Sequence, residues 1–230
     1  IAQTVALAKD ARDKAWQSLF EDEKSKRPYP LISGDVGPYA AYLANGSEYT
    51  GDYGKISKEE LKDFHRPRIA ILLKQGVDLL ALETIPNALE AEALVELLAE
   101  EFPQVEAYIS FTIQESSSIS DGTSLEAMVE LVDTSKQILA LGINCSSPLL
   151  FDAALEKLAS LTNKYLVTYP NSGEVYDGQT QTWKPKDVTA KNLREHSQAW
   201  HEQFQVKILG GCCRTRPNDI KSLYQTFRDQ

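Results

Sequence analysis

The chain has 230 residues, of which 42% are hydrophobic and 25% charged, a composition that fits one globular domain with a substantial core. Its formal net charge of −9 and pI near 4.9 argue against a nucleic-acid partner, because no clustered excess of lysine and arginine is present to neutralise phosphates. No apolar run approaches the roughly 20 residues that span a bilayer. Lysine, arginine and aspartate recur through Ile1 to Phe20, so neither a membrane partner nor a signal peptide is expected.

The chain is expected to open on a helix, since Ile1, Val5, Ala8, Ala15 and Leu19 form one apolar stripe. Short apolar, β-branched runs then fall at Tyr29–Ser33, Val77–Leu82, Ala107–Thr112, Ile138–Asn144, Tyr165–Tyr169 and Val206–Gly210. These read as strands, with helical stretches between them. Ser57-Lys-Glu-Glu60 is a capping box that starts one helix, and Pro67 is expected to kink or interrupt it. Asn87 and Leu125 begin two more helices, and Pro217 sits where a first-turn proline is tolerated. Asp177-Gly178 is a turn signal inside Glu174–Trp183, where a loop or small hairpin is expected.

Successive strand runs lie about 35 residues apart, the size of a βα unit. The runs are apolar on both faces, as strands of a covered parallel sheet should be. The expected fold is therefore α/β: a (β/α)8 TIM barrel forming a single domain over residues 1–230, with its N-terminal strands in a segment upstream of Ile1. An open doubly wound sheet of six strands is the alternative.

The cysteines number three: Cys145, Cys212 and Cys213. An odd, low count in a chain this long is no disulfide framework and fits a reducing cytoplasm. Each ends a strand run, and in an α/β barrel that end is the catalytic face. Neighbours in a regular strand point to opposite faces, so Cys212 and Cys213 share a site only if Gly210-Gly211 lets the backbone leave the pleat. Three convergent thiolates bind Zn²⁺ with a fourth position open. The alternatives are simple burial of small apolar side chains and a vicinal Cys212–Cys213 disulfide. Tyr39, Phe111 and Tyr169 lie near strand ends, where aromatic faces suit either a cationic ligand or ordinary packing. His65 reads as a packing or hydrogen-bonding residue, and His196 and His201 as surface residues beside Trp200.

Ordered motifs run the length of the chain. They are Ser33-Gly-Asp-Val-Gly-Pro-Tyr39, Glu48-Tyr-Thr-Gly-Asp-Tyr-Gly54, Phe64-His-Arg66, Asp78-Leu-Leu-Ala-Leu-Glu-Thr-Ile-Pro86, Ile109-Ser-Phe-Thr112 and Ser120-Asp-Gly-Thr123. Gly142-Ile-Asn-Cys145, Tyr169-Pro-Asn-Ser-Gly-Glu174 and Gly210-Gly-Cys-Cys-Arg214 complete the set. Together they resemble the homocysteine S-methyltransferase family over nearly the whole chain. The branch they are most similar to uses S-methylmethionine or S-adenosylmethionine rather than betaine.

The resemblance implies a (β/α)8 barrel that binds homocysteine and a sulfonium methyl donor, with zinc held by Cys145, Cys212 and Cys213. It implies that Glu83 holds the homocysteine amino group, a role to be weighed against a structural ion pair. Asn144 is expected either to orient the site or to contact the substrate carboxylate. The family's glycine-rich N-terminal strand, with its further substrate contacts, has no counterpart in this sequence. A non-catalytic zinc-binding barrel and a betaine-type donor are the competing readings, and nothing in the sequence sets an oligomeric state.

Overall fold

The computed structural model describes residues 1–177, 182–184 and 192–228. Helices α1 (Ala2–Gln17) and α2 (Glu21–Lys24) precede strand β1 (Ser33–Val36). Helices α3 (Tyr39–Leu43), α4 (Ser47–Thr50) and α5 (Lys58–Lys74) lead to β2 (Leu79–Ile85), and α6 (Ala88–Glu101) to β3 (Ala107–Phe111). A small pair, β4 (Ile113–Glu115) and β5 (Ser118–Ile119), comes before α7 (Leu125–Asp133) and β6 (Ile138–Asn144). Then follow α8 (Phe151–Leu161), β7 (Tyr165–Tyr169), the pair β8 (Val175–Asp177) and β9 (Thr182–Lys184), α9 (Leu193–Phe204), β10 (Ile208–Leu209) and α10 (Pro217–Phe227). No helix among the described residues is long and apolar enough to cross a membrane.

Six of these strands form one sheet in the order β1-β2-β3-β6-β7-β10, parallel throughout. The order follows the chain without reversal, so the doubly wound alternative, which needs a switch point, does not hold. The sheet also curls. In a flat sheet β2 and β6, separated by β3, would lie about 10 Å apart. Yet the Asn144 amide at the end of β6 reaches Thr84 of β2 through bonds of 3.0 and 2.8 Å.

One apolar face packs under the helices. Leu80, Leu82, Ile109, Leu141, Ile143 and Leu166 share a buried cluster with Ile69, Leu94, Leu98, Val129, Leu155 and Trp200. Each fully buried aliphatic or aromatic side chain of this kind contributes about 1.5–3 kcal/mol. The alternate positions carry polar groups to the other face, among them Asp35, Glu83, Tyr108, Ser110 and Tyr169. Gly142 lies where β6 meets β7, and a Cβ there would stand 1.8 Å from the Val167 carbonyl oxygen.

The first strand begins at Ser33, the last residue of the expected Tyr29–Ser33. Pro28 and Pro30 cannot donate to a ladder, and Tyr29 and Leu31 are left exposed. Pro67 does not end α5, which runs unbroken from Lys58 to Lys74. The missing N–H is offset by a buried stripe of Leu61, His65, Ile69 and Leu72, and Arg66 bridges to Glu101 of α6 at 2.8 Å.

The capping box closes as expected, with Ser57 Oγ accepting from Glu60 N and Glu60 accepting from Ser57 N at 2.9 Å. Asn87 caps α6, and Pro217 opens α10. Of the stripe expected on α1, only Val5 is buried; it joins the cluster beside Leu72, while Lys9 Nζ donates to the Gln75 carbonyl at the end of α5. The hairpin expected over Glu174–Trp183 forms as β8 and β9, and Gly178 of its turn lies outside the described residues.

Candidate metal centre and substrate pocket

Three strand ends build the centre. After β6 the chain enters the left-handed region at Cys145, with φ of 49°, which redirects a side chain that the pleat would point away from Asn144. The Cys145 N–H donates to the Tyr169 carbonyl at 3.1 Å. Beyond β10, Cys212 N donates to Pro170 O at 2.8 Å, and Ser172 N donates to Cys213 O at 3.0 Å.

The turn at Cys212 closes on Thr215, whose N and Oγ1 donate to the Cys212 carbonyl at 3.1 and 2.7 Å. Gly211 is required by space: a Cβ there would meet Thr215 Oγ1 at 2.6 Å. The sequence assigned the glycine pair to backbone freedom, whereas at Gly211 close approach is what excludes a side chain.

The Sγ atoms of Cys145, Cys212 and Cys213 lie within 4.8 Å of one another, and those of Cys145 and Cys213 are 3.6 Å apart. On a tetrahedron with metal–sulfur bonds of about 2.3 Å the sulfurs stand about 3.8 Å apart. The thiols carry no disulfide, and without a cation they cannot all ionise. Hydrogen bonds from Cys145 and Cys212 hold the Cys213 thiol down to about 3. Its two partners then remain protonated. Cys145 is pushed up by its hydrogen bond with Cys212, then by that with Cys213 and by burial. Cys212 gains from its bond with Cys145 but is pushed up to about 12 by Cys213 and by burial. Three convergent soft donors holding a single negative charge fit a thiophilic divalent cation, which would deprotonate all of them.

A second polar group occupies the same end of the sheet. Glu83 lies near the C-terminal end of β2, and its Oε2 accepts from the Tyr169 hydroxyl at 2.9 Å. That hydroxyl in turn lies 2.6 Å from Ser110 Oγ, so Ser110 donates to Tyr169. Burial raises the Glu83 carboxyl to about 7, the charge of Asp35 and a hydrogen bond with it add to the rise, and the Tyr169 bond opposes it. Tyr108 is raised by burial and then by the Glu83 charge.

Asp35 escaped the sequence reading. It registers with Ala81, two residues before Glu83, so both carboxyls rise from one face of adjacent strands. Only the strand register brings them together.

Tyr49 of α4 is also a site residue that the sequence did not single out. Its hydroxyl is raised by burial and then by its electrostatic interaction with the cysteine cluster. Its loop is tied down by Thr112 Oγ1 on Glu48 O at 2.9 Å and by Asn87 Nδ2 on Gly51 O at 2.8 Å. Gly51, at φ 66°, leaves no room for a Cβ, which would meet Pro86 O at 2.6 Å.

Of the aromatic candidates, Tyr169 stands at the site. Phe111 does not: it is 0% exposed within the apolar cluster. Tyr39 packs edge-on against Phe64 of α5 at 5.1 Å. Asn144 is behind the site rather than on it, fully buried and bonded through both amide ends to Thr84. His65 hydrogen-bonds the buried Glu90 at 2.8 Å, as its reading expected. His196 is not a surface residue; it is 7% exposed and stacked on Trp200, because both share the buried stripe of α9. His201 is half-buried and bonds the Val206 carbonyl at 3.0 Å.

Fold and site together define an α/β enzyme of parallel, curled sheet with a cysteine cluster fit for a metal at its C-terminal edge. The profile describing homocysteine S-methyltransferases matches residues 1–227. Homocysteine S-methyltransferase YbgG of Bacillus subtilis is 44% identical over 97% of this chain and 69% of its own length. Homocysteine S-methyltransferase of Escherichia coli is 44% identical over the same shares. The crystal structure of the Escherichia coli homocysteine methyltransferase MmuM in its metallated form superposes with a TM-score of 0.83 at 42% identity, covering 98% of this chain and 69% of that one. This chain belongs to the homocysteine S-methyltransferase family, and it is a methyltransferase.

Proposed function

We propose that this chain transfers a methyl group from S-methylmethionine or S-adenosylmethionine to the sulfur of L-homocysteine, forming methionine, at a zinc ion held by Cys145, Cys212 and Cys213. The observation that carries the reading is the convergence of three thiols within 4.8 Å at the sheet edge that also presents Glu83. Zinc held by these residues would lower the pKa of a homocysteine thiol so that it is a thiolate at neutral pH.

The protein's own residues do the rest. Glu83 accepts the substrate ammonium, with Tyr169 holding one of its carboxyl oxygens in place. Tyr169 and Tyr49 offer electron-rich rings to the donor's sulfonium. In the transfer the homocysteine thiolate uses a lone pair to form the new S–CH3 bond, and the donor S–CH3 bond breaks with its pair staying on the donor sulfur. A thiolate and a sulfonium become two neutral thioethers, so exclusion of water by the walls favours the step. The six sequential, curled strands represent the greater part of a (β/α)8 barrel organised as one domain. Unpaired thiols suit a reducing, cytoplasmic setting.

The experiment is methionine formation by the zinc-loaded chain with homocysteine and each donor in turn. S-methylmethionine is expected to give the fastest rate. A faster rate with betaine would overturn the donor, and no methionine from any donor with zinc bound would overturn the function.

The acidic pair gives a pH dependence. Below about 7 Glu83 is protonated and offers no charge to an ammonium, so KM for homocysteine should fall as pH rises through that value. The groups facing Glu83 are Asp35, Tyr108 and Tyr169. In Asp35→Asn the repulsion is gone while burial remains, so the acid limb should move to lower pH. An acid limb that stays in place would contradict this origin.

A further inference from the structure

We infer that Asn144 is a positioning residue for homocysteine recognition, acting by holding Thr84 in a left-handed backbone so that Glu83 faces the pocket. The inference rests on the amino-group role proposed for Glu83.

Thr84 has φ of 66°. A β-branched residue avoids that region, where its Cβ crowds the following carbonyl, and such a conformation persists only when its surroundings impose it. Here the imposing group is a single amide. The Thr84 N–H donates to Asn144 Oδ1 at 3.0 Å, and Asn144 Nδ2 donates to Thr84 Oγ1 at 2.8 Å.

The left-handed residue has a visible effect on the strand. Pairing between β2 and β3 is regular up to Leu82 and Ile109, shifts register, and resumes at Ile85 with Phe111. Glu83 and Thr84 are therefore the irregular step, and the step leaves the Glu83 carboxyl 2.9 Å from the Tyr169 hydroxyl. If Thr84 relaxed to an extended conformation, the irregularity would be redistributed and Glu83 would turn away from Tyr169.

Burial shuts Asn144 off from a substrate. It is 0% exposed, and each end of its amide makes a bond to Thr84. Its position gives the clamp its meaning. Asn144 immediately precedes the sulfur ligand Cys145, and Thr84 immediately follows Glu83. One amide thus spans β3 and fixes the distance between the group that takes the ammonium and the group that holds the metal for the thiol. Two ends of one small substrate have to be met at once, so that distance selects chain length as well as charge.

The test uses the zinc-loaded chain and the variants Asn144→Ala, Thr84→Gly and their combination. Asn144→Ala is expected to raise KM for homocysteine by up to about tenfold, no more than loss of the Glu83 carboxylate itself would cost. Zinc content should stay at the wild-type value, and kcat should change much less than KM. Glycine adopts positive φ without strain, so Thr84→Gly should stay within about threefold of wild type. For the same reason Asn144→Ala should cost little more in that background.

A purely structural asparagine would give no such rescue, so a full loss in the Thr84→Gly background overturns the inference. So does an unchanged KM in Asn144→Ala, and so does loss of zinc, which would mean that the residue acts on Cys145. If Asn144→Ala does not fold alone, the pair of variants in the Thr84→Gly background decides. A crystal structure of the Asn144→Ala or double variant gives a readout independent of turnover. Thr84 should leave the left-handed region in the single variant, and Glu83 should lose Tyr169. Should the wild-type chain fail to use homocysteine, the functional reading falls, while this structural readout still decides the clamp.

Discussion

Cys145→Ser is expected to remove the metal and to lower methyl transfer on the order of a thousandfold or more. Two effects combine. Without zinc a thiol of pKa near 8.5 is only about 3% thiolate at pH 7, a loss of roughly thirtyfold. The remainder is positioning, since an open coordination position fixes the reacting sulfur, and orientation of that kind is worth several kcal/mol or more. Serine keeps the size of the side chain, but its hydroxyl does not ionise near neutral pH and is a poor match for a thiolate site.

The fold should tolerate the change. Cys145 contributes its N–H to Tyr169, which serine retains, and its sulfur touches the other thiols rather than the apolar cluster. Metal analysis and methionine formation on the same preparation check the result. Full activity in a metal-free Cys145→Ser protein would end the mechanism.

Glu83→Ala is expected to act on the opposite end of the substrate. A charged hydrogen bond to an ammonium contributes roughly 1.5–3 kcal/mol, so KM for homocysteine should rise about 10- to 100-fold. Asp35 remains on the neighbouring strand and accepts part of the charge, which argues for the lower half of that range. Zinc should be retained, because Glu83 reaches the cysteines only through Tyr169, whose backbone carbonyl accepts from Cys145. Substrate titrations at saturating donor, with zinc measured alongside, separate the two functions. An unchanged response to homocysteine would refute the amino-group role and return Glu83 to a structural one.

These two residues were legible in the sequence for different reasons. The cysteines end long apolar runs, and where a run ends at Asn144 or near Gly210 its last side chains must stand at the strand's C-terminal edge. Glu83 was legible through the family resemblance, since a carboxylate just after the Val77–Leu82 run reads equally well as a structural ion-pair partner. Asp35 was not legible, because its value comes from register: Ser33 to Val36 is too short to declare itself, and the apolar Tyr29, Leu31 and Ile32 drew the expected strand toward Tyr29.

The loop around Tyr49 was hidden for a related reason. Its position over the thiols depends on bonds from Thr112 and Asn87, more than thirty residues away in the chain. The helix bearing His196 misled because eight of its twelve residues are polar; the face that includes Trp200 decides burial, and the charges only line the other side. The curl of the sheet follows from twist and closure across several strands, and no single segment encodes it. Left-handed backbone at Thr84 and Cys145 has no local signature either, since neither residue type favours it. Both follow the last inward-facing residue of a strand, and both belong to the region where the site is built.

The most direct test of the account is the number of sulfur atoms around zinc, read by X-ray absorption on the loaded chain before and after homocysteine is added. Three sulfurs at about 2.3 Å should become four, with the oxygen or nitrogen neighbour of the resting site lost. Three sulfurs that stay three, in protein shown to bind homocysteine, would mean that the substrate thiol does not reach the metal, and the proposed chemistry would have no place to occur.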